Sequence, residues 1–568
     1  MRKLPVSFAI AAALIAAALI AAHPAMSQRT AAQSDAAQAA PVSSPPPKLI
    51  VAISVDQFSA DLFAQYRQHF TGGFARLLGG AVFPSAFQSH AATETCPGHS
   101  TLLTGARPNR TGVIANSWYA PEIARADKRI YCAEDESDPA STSSNPVVSA
   151  VHLRVPTLGD RMKAANPASR NVAVSAKDRA VMMMGGHDID QAYWWKAGAF
   201  VTLKGRDLAP SAVAENAIVA RTIKAGARAF TPPVWCGARD RTVIAGKTGN
   251  VTFGTGRFAL PADKPAAFLA SPRMDGATLD LAARLVAEMQ LGGKSATDIL
   301  SVSLSATDYI GHSVGNQGVD MCIQMAELDR NLGNFFAALD ARKVDYAVVL
   351  SADHGGLDVP ERLDEQALPA AARVDPALGA DELAKAVTAK TGITSVGRLL
   401  FADGPFGDYT IARTLPSEQR AQVSAALVAI MKAHPQVAAV FTAAELAEAP
   451  IPSGAPQDWS LKDRARASFD PQRSGDVVML LDRAIVPIPS ASAGYLATHG
   501  SAWDYDRRVP LLFWRRGMAG FEQPAPVETV DIAPTLASIL RLSVPDGAFD
   551  GRCLDIDGGA ANSCDTSR

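Results

Sequence analysis

Three apolar runs in the sequence each end in an acidic side chain, and two of these acids have a histidine close behind them. The runs are Leu49–Val55, Ile299–Leu304 and Tyr346–Leu350, and the residues that follow them are Asp56, Asp308 with His312, and Asp353 with His354. A later loop adds His499. Asp308 and His312 are four residues apart, so one helical turn would place both side chains on the same side. The pattern predicts a polar site at one edge of a sheet, where its strands end.

The side chains of this group indicate metal chemistry. Three carboxylates and three imidazoles, with no thiolate among them, form a donor set that suits zinc. Six protein ligands are too many for one tetrahedral ion and fit two ions roughly 3.5–4 Å apart, as in two-metal phosphoryl-transfer sites. A single aspartate at a strand end is usually a cap or turn residue, but the whole set at matching strand ends favours a metal site.

A candidate nucleophile lies earlier in the chain. The segment Thr93–Gly105 predicts a helix N-terminus and a short helix that ends at Gly105. Thr95 would stand at that N-terminus, where free backbone N–H groups and the helix dipole favour an anion. A threonine hydroxyl is a poor nucleophile until metal coordination lowers its pKa. Alone, Thr95 would be a cap residue; beside a two-metal site, we predict that it is the nucleophile.

The elements that must position these residues alternate between strand and helix. Further buried-strand patterns occur at Asn171–Ser175, Val477–Leu481 and Val509–Trp514, and helical patterns lie between strands, for example at Gly276–Gln290 and Met321–Leu339. The alternation predicts an α/β fold with a largely parallel central sheet and helices on both faces. Such sheets place their functional sites at the carboxyl ends of the strands.

Two stretches interrupt this alternation. Residues 195–262 are rich in Gly, Thr and Ala, with hairpin-like segments. Residues 366–470 hold a strand-like pair, a helix and another apolar run, at Gly397–Ala402, Tyr409–Ala412, Glu418–His434 and Gln436–Phe441. We interpret 366–470 as an inserted cap of α+β character. The catalytic core then consists of residues 48–365 and 471–555, and residues 556–568 form a C-terminal tail.

The N-terminus has the layout of a secretory signal peptide. Arg2 and Lys3 precede the apolar run Leu4–Ala22, and small residues occupy the −3 and −1 positions of a cleavage site after Ser27. An uncleaved anchor is the alternative, since about 18 apolar residues can just span a bilayer. We predict a signal peptide at 1–27, a disordered linker at 28–47, and a periplasmic or extracellular protein without a membrane span after processing.

The net charge and the cysteine spacing argue against two kinds of binding partner, nucleic acid and thiolate-bound zinc. The formal net charge of −2 argues against a nucleic-acid partner bound through phosphate neutralisation. The six cysteines are Cys96, Cys132, Cys236, Cys322, Cys553 and Cys564, and none forms a Cys-x-x-Cys pair, which argues against a thiolate zinc site. In an oxidising compartment Cys553 and Cys564 could close a short loop. The sequence leaves the other pairings and the oligomeric state open.

Ordered motifs along residues 48–555 resemble the alkaline phosphatase superfamily. They are Asp56 after the first strand, Thr95–His99, Asn116 within Gly112–Tyr119, Asp308-x-x-x-His312, Asp353-His354-Gly355, Thr498-His499-Gly500 and Val530–Thr535. The resemblance is to the branch that contains the nucleotide pyrophosphatase/phosphodiesterases and the Thr-nucleophile bacterial alkaline phosphatases, and within it to the Sphingomonas-type and PafA-like phosphatases. It implies hydrolysis of small-molecule phosphate monoesters through a phosphothreonine intermediate.

The resemblance also implies a role for each site residue. One Zn²⁺ would bind Asp308, His312 and His499, and a second would bind Asp56, Asp353 and His354. Thr95 would also be a metal ligand, and its oxygen would link the protein to phosphorus. Asn116 would donate to a phosphate oxygen. His99 belongs to the motif without ligating metal, and we expect it either to pack or to make hydrogen bonds. An additional Ca²⁺ or Mg²⁺ ion is left open.

Lys177 and Arg179 indicate whether the chain resembles the monoesterases or the diesterases of the superfamily. In an extended segment these two side chains face the same way, so both can reach one ligand. A monoester carries about one more negative charge than a diester, and a Lys and Arg pair complements that charge. The alternatives are a phosphodiesterase with the same two-metal site and a binding protein that has lost catalysis. A sulfatase would need Cys-x-Pro-x-Arg, which Cys96-Pro97 does not provide.

Overall fold

A computed structural model describes residues 45–246, 251–394, 397–559 and 562–564 of the chain. The predicted signal peptide and most of the predicted linker fall at 1–44, outside the described residues, and stay predictions. So does the division of the chain into core, cap and tail.

Twenty strands occur in the described residues. They are β1 (Leu49–Val55), β2 (Ala81–Phe87), β3 (Ser117–Tyr119), β4 (Arg129–Tyr131), β5 (Asn171–Ser175), β6 (Gln191–Lys196), β7 (Ala199–Val201), β8 (Val243–Ala245), β9 (Val251–Phe253), β10 (Asp298–Leu304), β11 (Tyr346–Ser351), β12 (Ala372–Arg373), β13 (Leu400–Phe401), β14 (Gly407–Ile411), β15 (Val437–Thr442), β16 (Val477–Leu481), β17 (Ile485–Val486), β18 (Arg508–Arg515), β19 (Phe521–Glu522) and β20 (Val527–Glu528).

The α-helices of the same residues lie mostly between these strands. They are α1 (Ala60–Tyr66), α2 (Gly73–Leu77), α3 (Thr95–Thr104), α4 (Pro108–Thr111), α5 (Leu158–Ala165), α6 (Asp178–Gly185), α7 (Pro210–Ala225), α8 (Pro265–Leu269), α9 (Pro272–Met289), α10 (Ala306–Val314), α11 (Val319–Ala341), α12 (Pro360–Glu365), α13 (Ala380–Thr391), α14 (Ser417–Lys432), α15 (Ala443–Ala447), α16 (Leu461–Ser468), α17 (Asp504–Arg507) and α18 (Ile532–Ile539).

The central sheet confirms the predicted α/β class. Its order is β19-β2-β18-β11-β1-β10-β5-β6-β7, with β20 paired to β2. The central strands β11, β1, β10, β5 and β6 run parallel. Every residue of β1, β10 and β11 is buried, as expected when helices cover both faces. The strand predicted at Val509–Trp514 belongs to β18, which is antiparallel to β11 and makes the sheet mixed.

One predicted strand belongs to a different sheet. The apolar run Val477–Leu481 was expected in the central sheet, but as β16 it pairs antiparallel with β14 and β15 in a separate four-stranded sheet. This second sheet has its own apolar core, in which Val477 and Met479 pack with Leu427 of α14. An apolar run predicts that a strand is buried, but it does not specify which sheet buries it.

Three disulfides occur among the described residues. Cys553–Cys564 confirms the expected C-terminal loop, and the other two join Cys96 to Cys132 and Cys236 to Cys322. Within the described ranges, every helix is too short or too polar to cross a bilayer.

Candidate active site

The strand ends deliver the predicted carboxylates to one edge of the central sheet. β1 lies between β10 and β11, with Val55 in register with Leu304 and Ser54 with Ser351. Asp56 extends β1 by one residue, and its N–H donates to the carbonyl of Leu304 at 3.0 Å. Parallel strands end at the same edge, so Asp56 and the residues that follow β10 and β11 meet there.

The first group gathers around Asp308. Helix α10 starts directly after β10 and holds Asp308 and His312 one turn apart, with His312 Nε2 3.2 Å from Asp308 Oδ1. His499 comes from the loop before α17, and its Nε2 lies 3.4 Å from the same oxygen. The predicted trio of Asp308, His312 and His499 is therefore in mutual contact.

The second group consists of Asp56, Asp353 and His354, all fully buried. His354 Nε2 lies 3.5 Å from Asp56 Oδ1 and 3.3 Å from Asp353 Oδ2. Asp353 Oδ1 accepts hydrogen bonds from the backbone N–H groups of Gln57 and His354, which hold the carboxylate in place.

Backbone carbonyls orient all three imidazoles. The Nδ1 atoms of His312, His354 and His499 each lie 2.8 Å from a carbonyl oxygen, of Ala497, Gly355 and Thr93 respectively. A carbonyl only accepts, so Nδ1 carries the proton and the Nε2 lone pair faces the carboxylates. This second contact is the usual support of a metal-ligating histidine.

Two sets of ligand atoms among the described residues lie close enough to hold a metal ion, and the first differs from the predicted trio because His354 takes the place of His312. Asp56 Oδ1, Asp308 Oδ1 and His354 Nε2 are buried without a hydrogen-bond donor among the described residues. A cation between these atoms would stabilise the facing lone pair and carboxylate oxygens. The ligand atoms of Asp56, Asp353 and His354 lie within 4.8 Å of one another, and so do those of Asp308, His354 and His499. His354 joins both sets because its ring stacks on His499 at 3.6 Å.

The electrostatics of the second group agree with this fit. Burial and the neighbouring Asp353 carboxylate raise the pKa of Asp56, because both disfavour its negative charge. Burial lowers the pKa of His354 to about 3, so its imidazole is neutral at ordinary pH. Neutral imidazole is the form that binds a metal ion.

Thr95 is the first residue of α3, as predicted, and the helix ends at Gly105 in the left-handed conformation, with φ of 65°. Gly98 lets the first turn of α3 approach the end of β11 closely. A Cβ on Gly98 would lie 2.0 Å from the carbonyl oxygen of Asp353. The glycine in this motif therefore brings the threonine to the edge of the sheet where the carboxylates lie.

Lys177 and Arg179 both reach the Thr95 hydroxyl. Lys177 Nζ donates to Thr95 Oγ1 at 3.3 Å, and Arg179 Nη2 donates to it at 3.4 Å. Lys177 Nζ also lies 2.6 Å from Asp56 Oδ2 and 2.5 Å from Asp308 Oδ2, one carboxylate from each group. The sequence suggested contact with a phosphate but gave no sign of these two ion pairs.

The other motif residues hold the site together. Asn116 Oδ1 accepts from the Cys96 N–H at 2.8 Å, so its Nδ2 is the atom that can donate to a phosphoryl oxygen. His99 Nδ1 lies 2.9 Å from the Thr95 carbonyl and 3.0 Å from Asp353 Oδ2, and its Nε2 contacts Ser303 Oγ at 2.9 Å. The expected hydrogen-bonding role of His99 is confirmed.

Two residues of the site were not found from the sequence. Glu94 Oε2 accepts from the Asn116 N–H at 2.8 Å, and Tyr131 OH accepts from Arg179 Nη1 at 3.4 Å. Glu94 adjoins Thr95, the predicted nucleophile, which could have drawn attention to it. Tyr131 lies in a segment without any motif, and no sequence signal marks it.

A cavity of about 260 Å³ opens onto these groups. Its lining includes Asn116, Arg179, His312 and His499. Phe406, from the loop before β14, also lines it. The cavity gives a small molecule access to Arg179, which donates to Thr95 Oγ1.

Several known proteins are similar to this chain in sequence or in overall fold. The family described as type I phosphodiesterase / nucleotide pyrophosphatase matches residues 50–502. Alkaline phosphatase PhoK from a Sphingomonas species is 52% identical over 93% of this chain and 94% of its own length. Alkaline phosphatase PhoD from Zymomonas mobilis is 48% identical over 91% of this chain and 89% of its own. The crystal structure of alkaline phosphatase PafA superposes with a TM-score of 0.78 at 27% identity, covering 91% of this chain and all of that one.

Proposed function

Because the chain belongs to the type I phosphodiesterase / nucleotide pyrophosphatase family of the alkaline phosphatase superfamily, we propose that it is an exported, zinc-dependent alkaline phosphatase. Its substrates would be phosphate monoesters, which it would hydrolyse through a phosphothreonine formed on Thr95. Alkaline phosphatases at 52% and 48% identity support the phosphatase activity. The monoester preference, the zinc ions and the phosphothreonine are proposed from the geometry around Thr95.

The observation that carries the monoesterase proposal is the pair of cations on the Thr95 hydroxyl. Lys177 Nζ and Arg179 Nη2 lie 3.3 and 3.4 Å from Thr95 Oγ1. A phosphoryl group attacked by that oxygen would lie against both cations. The additional negative charge of a monoester gains more from them than a diester does.

The donor set supports zinc. Imidazole nitrogen and carboxylate oxygen without thiolate suit this ion, and Asp56, Asp308, His312, Asp353, His354 and His499 would hold two of them. When bound, zinc would lower the pKa of the Thr95 hydroxyl and neutralise charge on the departing oxygen. The Nδ1 contacts to backbone carbonyls keep the Nε2 atoms ready for this role.

The chain's own groups then perform binding and displacement. Asn116, Lys177 and Arg179 would hold the phosphoryl oxygens so that the ester bond lies in line with Thr95 Oγ1. Attack by this oxygen forms the phosphothreonine and releases the alcohol. Water then cleaves the phosphothreonine, which frees inorganic phosphate and restores the hydroxyl. The cationic side chains stabilise the charge that develops on phosphorus-bound oxygens in both steps.

Two features support export. The first 27 residues have the layout of a signal peptide. All six cysteines form disulfides, which persist in oxidising compartments such as the periplasm and the extracellular space.

The test is a paired steady-state assay on purified protein. Turnover of an aryl phosphate monoester and of the matching diester is measured with and without a chelator, and bound metal is quantified by elemental analysis. The proposal predicts chelator-sensitive turnover, about two zinc ions per chain and a kcat/KM several orders of magnitude higher for the monoester. Preference for the diester would move the protein to the phosphodiesterase alternative and leave the two-metal site in place.

A substitution tests the phosphothreonine. Thr95→Ala removes the attacking oxygen, so monoester turnover should fall by about three orders of magnitude or more. Acid-quenched wild-type protein should carry substrate-derived phosphate, and the variant should carry none. Thr95→Ser is the matched control, because it keeps a hydroxyl in place. Near-wild-type turnover by Thr95→Ala would overturn the assignment.

A further inference from the structure

The residues from Asn116 to Cys132 form a hairpin beside the nucleophile. β3 pairs antiparallel with β4, with Ser117 opposite Tyr131. The N–H of Cys132 donates to the carbonyl of Asn116 at 3.0 Å and closes the base of the hairpin. The pairing therefore brings Asn116, at one end of the segment, next to Tyr131 and Cys132 at the other. We refer to residues 116–132 as the site hairpin.

A disulfide ties the base of the site hairpin to the nucleophile helix. Cys132 is bonded to Cys96, the residue that follows Thr95, and both cysteines are fully buried. Hydrogen bonds reinforce the tie: the Cys96 N–H donates to Asn116 Oδ1, and the Asn116 N–H donates to Glu94 Oε2, each at 2.8 Å. One covalent bond and two hydrogen bonds thus join the first turn of α3 to Asn116.

The same hairpin contacts Arg179 through Tyr131. The Tyr131 hydroxyl donates to Asp178 Oδ1 at 2.6 Å and accepts from Arg179 Nη1 at 3.4 Å. The other end of the guanidinium reaches Thr95 Oγ1. A closed path therefore runs from Thr95 through the disulfide to Tyr131 and Arg179, and back to Thr95.

We propose that the Cys96–Cys132 disulfide, acting through the site hairpin, positions Asn116 and Arg179 against Thr95, so that phosphate binding depends on this bond. The inference rests on the proposed function, because it concerns the phosphate groups of the same site. The hairpin lies outside the central sheet, and β3 pairs only with β4 within the described residues. Trp118 and Ile130 pack in an apolar cluster that includes Val181 of α6, while the disulfide and the nearby hydrogen bonds tie the base of the hairpin to the first turn of α3. A misplacement of about 1 Å in such a site can cost about a hundredfold in rate.

The first experiment compares two disulfide deletions in the metal-loaded, full-length chain. Cys96→Ala with Cys132→Ala removes the bond at the site. Cys236→Ala with Cys322→Ala is the matched control, because it removes an equally buried bond between the segment Val234–Arg239 and α11, which contribute no site residue. Binding of inorganic phosphate is measured by calorimetry, and folding by thermal unfolding.

We expect the site deletion to weaken phosphate binding by about tenfold or more and the control deletion to change it by less than about twofold. The effect should appear at temperatures where both variants are folded. Equal phosphate affinity in the site deletion and the wild type would overturn the proposal. An equal loss in both deletions would also overturn it, since the bond would then act only on overall stability.

A double-mutant cycle distinguishes positioning from stability. If the disulfide acts partly through Arg179, deleting it should weaken phosphate binding much less in an Arg179→Ala background than in the wild type. Fully additive losses would contradict this path. Tyr131→Phe keeps the disulfide and removes one oxygen, so it remains informative if the cysteine variant does not fold. It should weaken phosphate binding, again non-additively with Arg179→Ala, and unchanged affinity would overturn the path.

The design separates this inference from the proposed function. Phosphate binding is read without turnover, so a protein that binds phosphate but prefers diesters would overturn the monoesterase proposal and leave the positioning test intact. A disulfide deletion that binds phosphate normally, in an enzyme that prefers monoesters, would overturn the positioning proposal alone.

Discussion

On one side of Thr95, carboxylates and imidazoles follow adjacent strands of the central sheet. On the other side, Lys177 and Arg179 follow β5, while Asn116 comes from the site hairpin. The first side is positioned by strand register, because β1 pairs with both β10 and β11 along nearly its whole length. On the second side β5 also lies in the central sheet, but Asn116 and the Arg179 guanidinium depend further on a disulfide, on the hydrogen bond from the Cys96 N–H to Asn116 Oδ1 and on that from Arg179 Nη1 to the Tyr131 hydroxyl.

We call the predicted ligands that follow β1, β10 and β11, together with His499, the metal side, and Asn116, Lys177 and Arg179 the phosphate side. The two sides should respond differently to substitution. A backbone ladder distributes its energy over many hydrogen bonds, so the metal side can lose a ligand without moving the others. Groups held by a few side-chain contacts move when one contact is lost. Substitutions on the metal side should therefore act through the loss of an ion, and those on the phosphate side through weaker and less selective substrate binding.

The largest effect should come from Asp353→Asn. The carboxylate is buried and contacts His354 and His99, so replacing it removes one predicted negative ligand and leaves the neighbouring groups in place. We expect turnover to fall by at least about a thousandfold, with a matching loss of one metal ion per chain. Activity and metal content are measured on the same preparation.

Ser351→Ala is the control for this substitution. Ser351 is buried on the same strand, but its hydroxyl donates to the carbonyl of Pro510, away from the site. It should keep full metal content. An Asp353→Asn protein that retained both ions and wild-type turnover would show that Asp353 is not a ligand.

The gathering of Asp56, Asp308 and Asp353 could be predicted from the sequence, because each of these residues is identified by the apolar strand just before it. An apolar run followed by Asp or Asp-His is visible in the sequence, and parallel strands bring such ends together. The sheet that holds Val477–Leu481 was not predictable in this way, because burial alone does not name a strand's partner. The ion pairs of Lys177 with Asp56 and Asp308 were also missed, since the reach of a long side chain depends on neighbours distant in sequence.

The phosphate side should respond next most strongly, and selectively. Lys177→Ala with Arg179→Ala removes both cations from Thr95 Oγ1. We expect monoester kcat/KM to fall by about a thousandfold and diester kcat/KM by only about tenfold, because the diester has less charge to stabilise. Both substrates are assayed on each variant.

Lys204→Ala is the matched control, because Lys204 is an exposed lysine that pairs with Asp138. It should leave both activities unchanged. Equal losses for monoester and diester in the double variant would show that the two cations do not act on the phosphate charge. They would place Lys177 on the metal side, where its contacts with Asp56 and Asp308 also lie.

His99 links the two sides and should give a smaller effect. Its Nδ1–H contacts both the Thr95 carbonyl and Asp353 Oδ2, so His99→Leu removes a donor from a predicted metal ligand without removing the ligand. We expect zinc affinity to fall by about 10–100-fold, with monoester and diester turnover reduced alike once zinc is saturating. His99→Asn offers an amide donor and should restore part of the affinity.

Ser303→Ala should give the smallest effect along the same chain of contacts. The Thr95 carbonyl only accepts and so holds the His99 proton on Nδ1, the nitrogen that faces Asp353, which leaves Nε2 to accept from the Ser303 hydroxyl at 2.9 Å. Losing one buried hydrogen bond costs about 1 kcal/mol, which corresponds to about a fivefold loss of zinc affinity. The affinity is measured by competition with a chelator of known strength. A loss as large as that of His99→Leu would mean that the ring turns when Ser303 is absent, and that Ser303, through His99, sets the metal side. No loss at all would show that strand register alone holds Asp353, which is the stronger form of the contrast between the two sides.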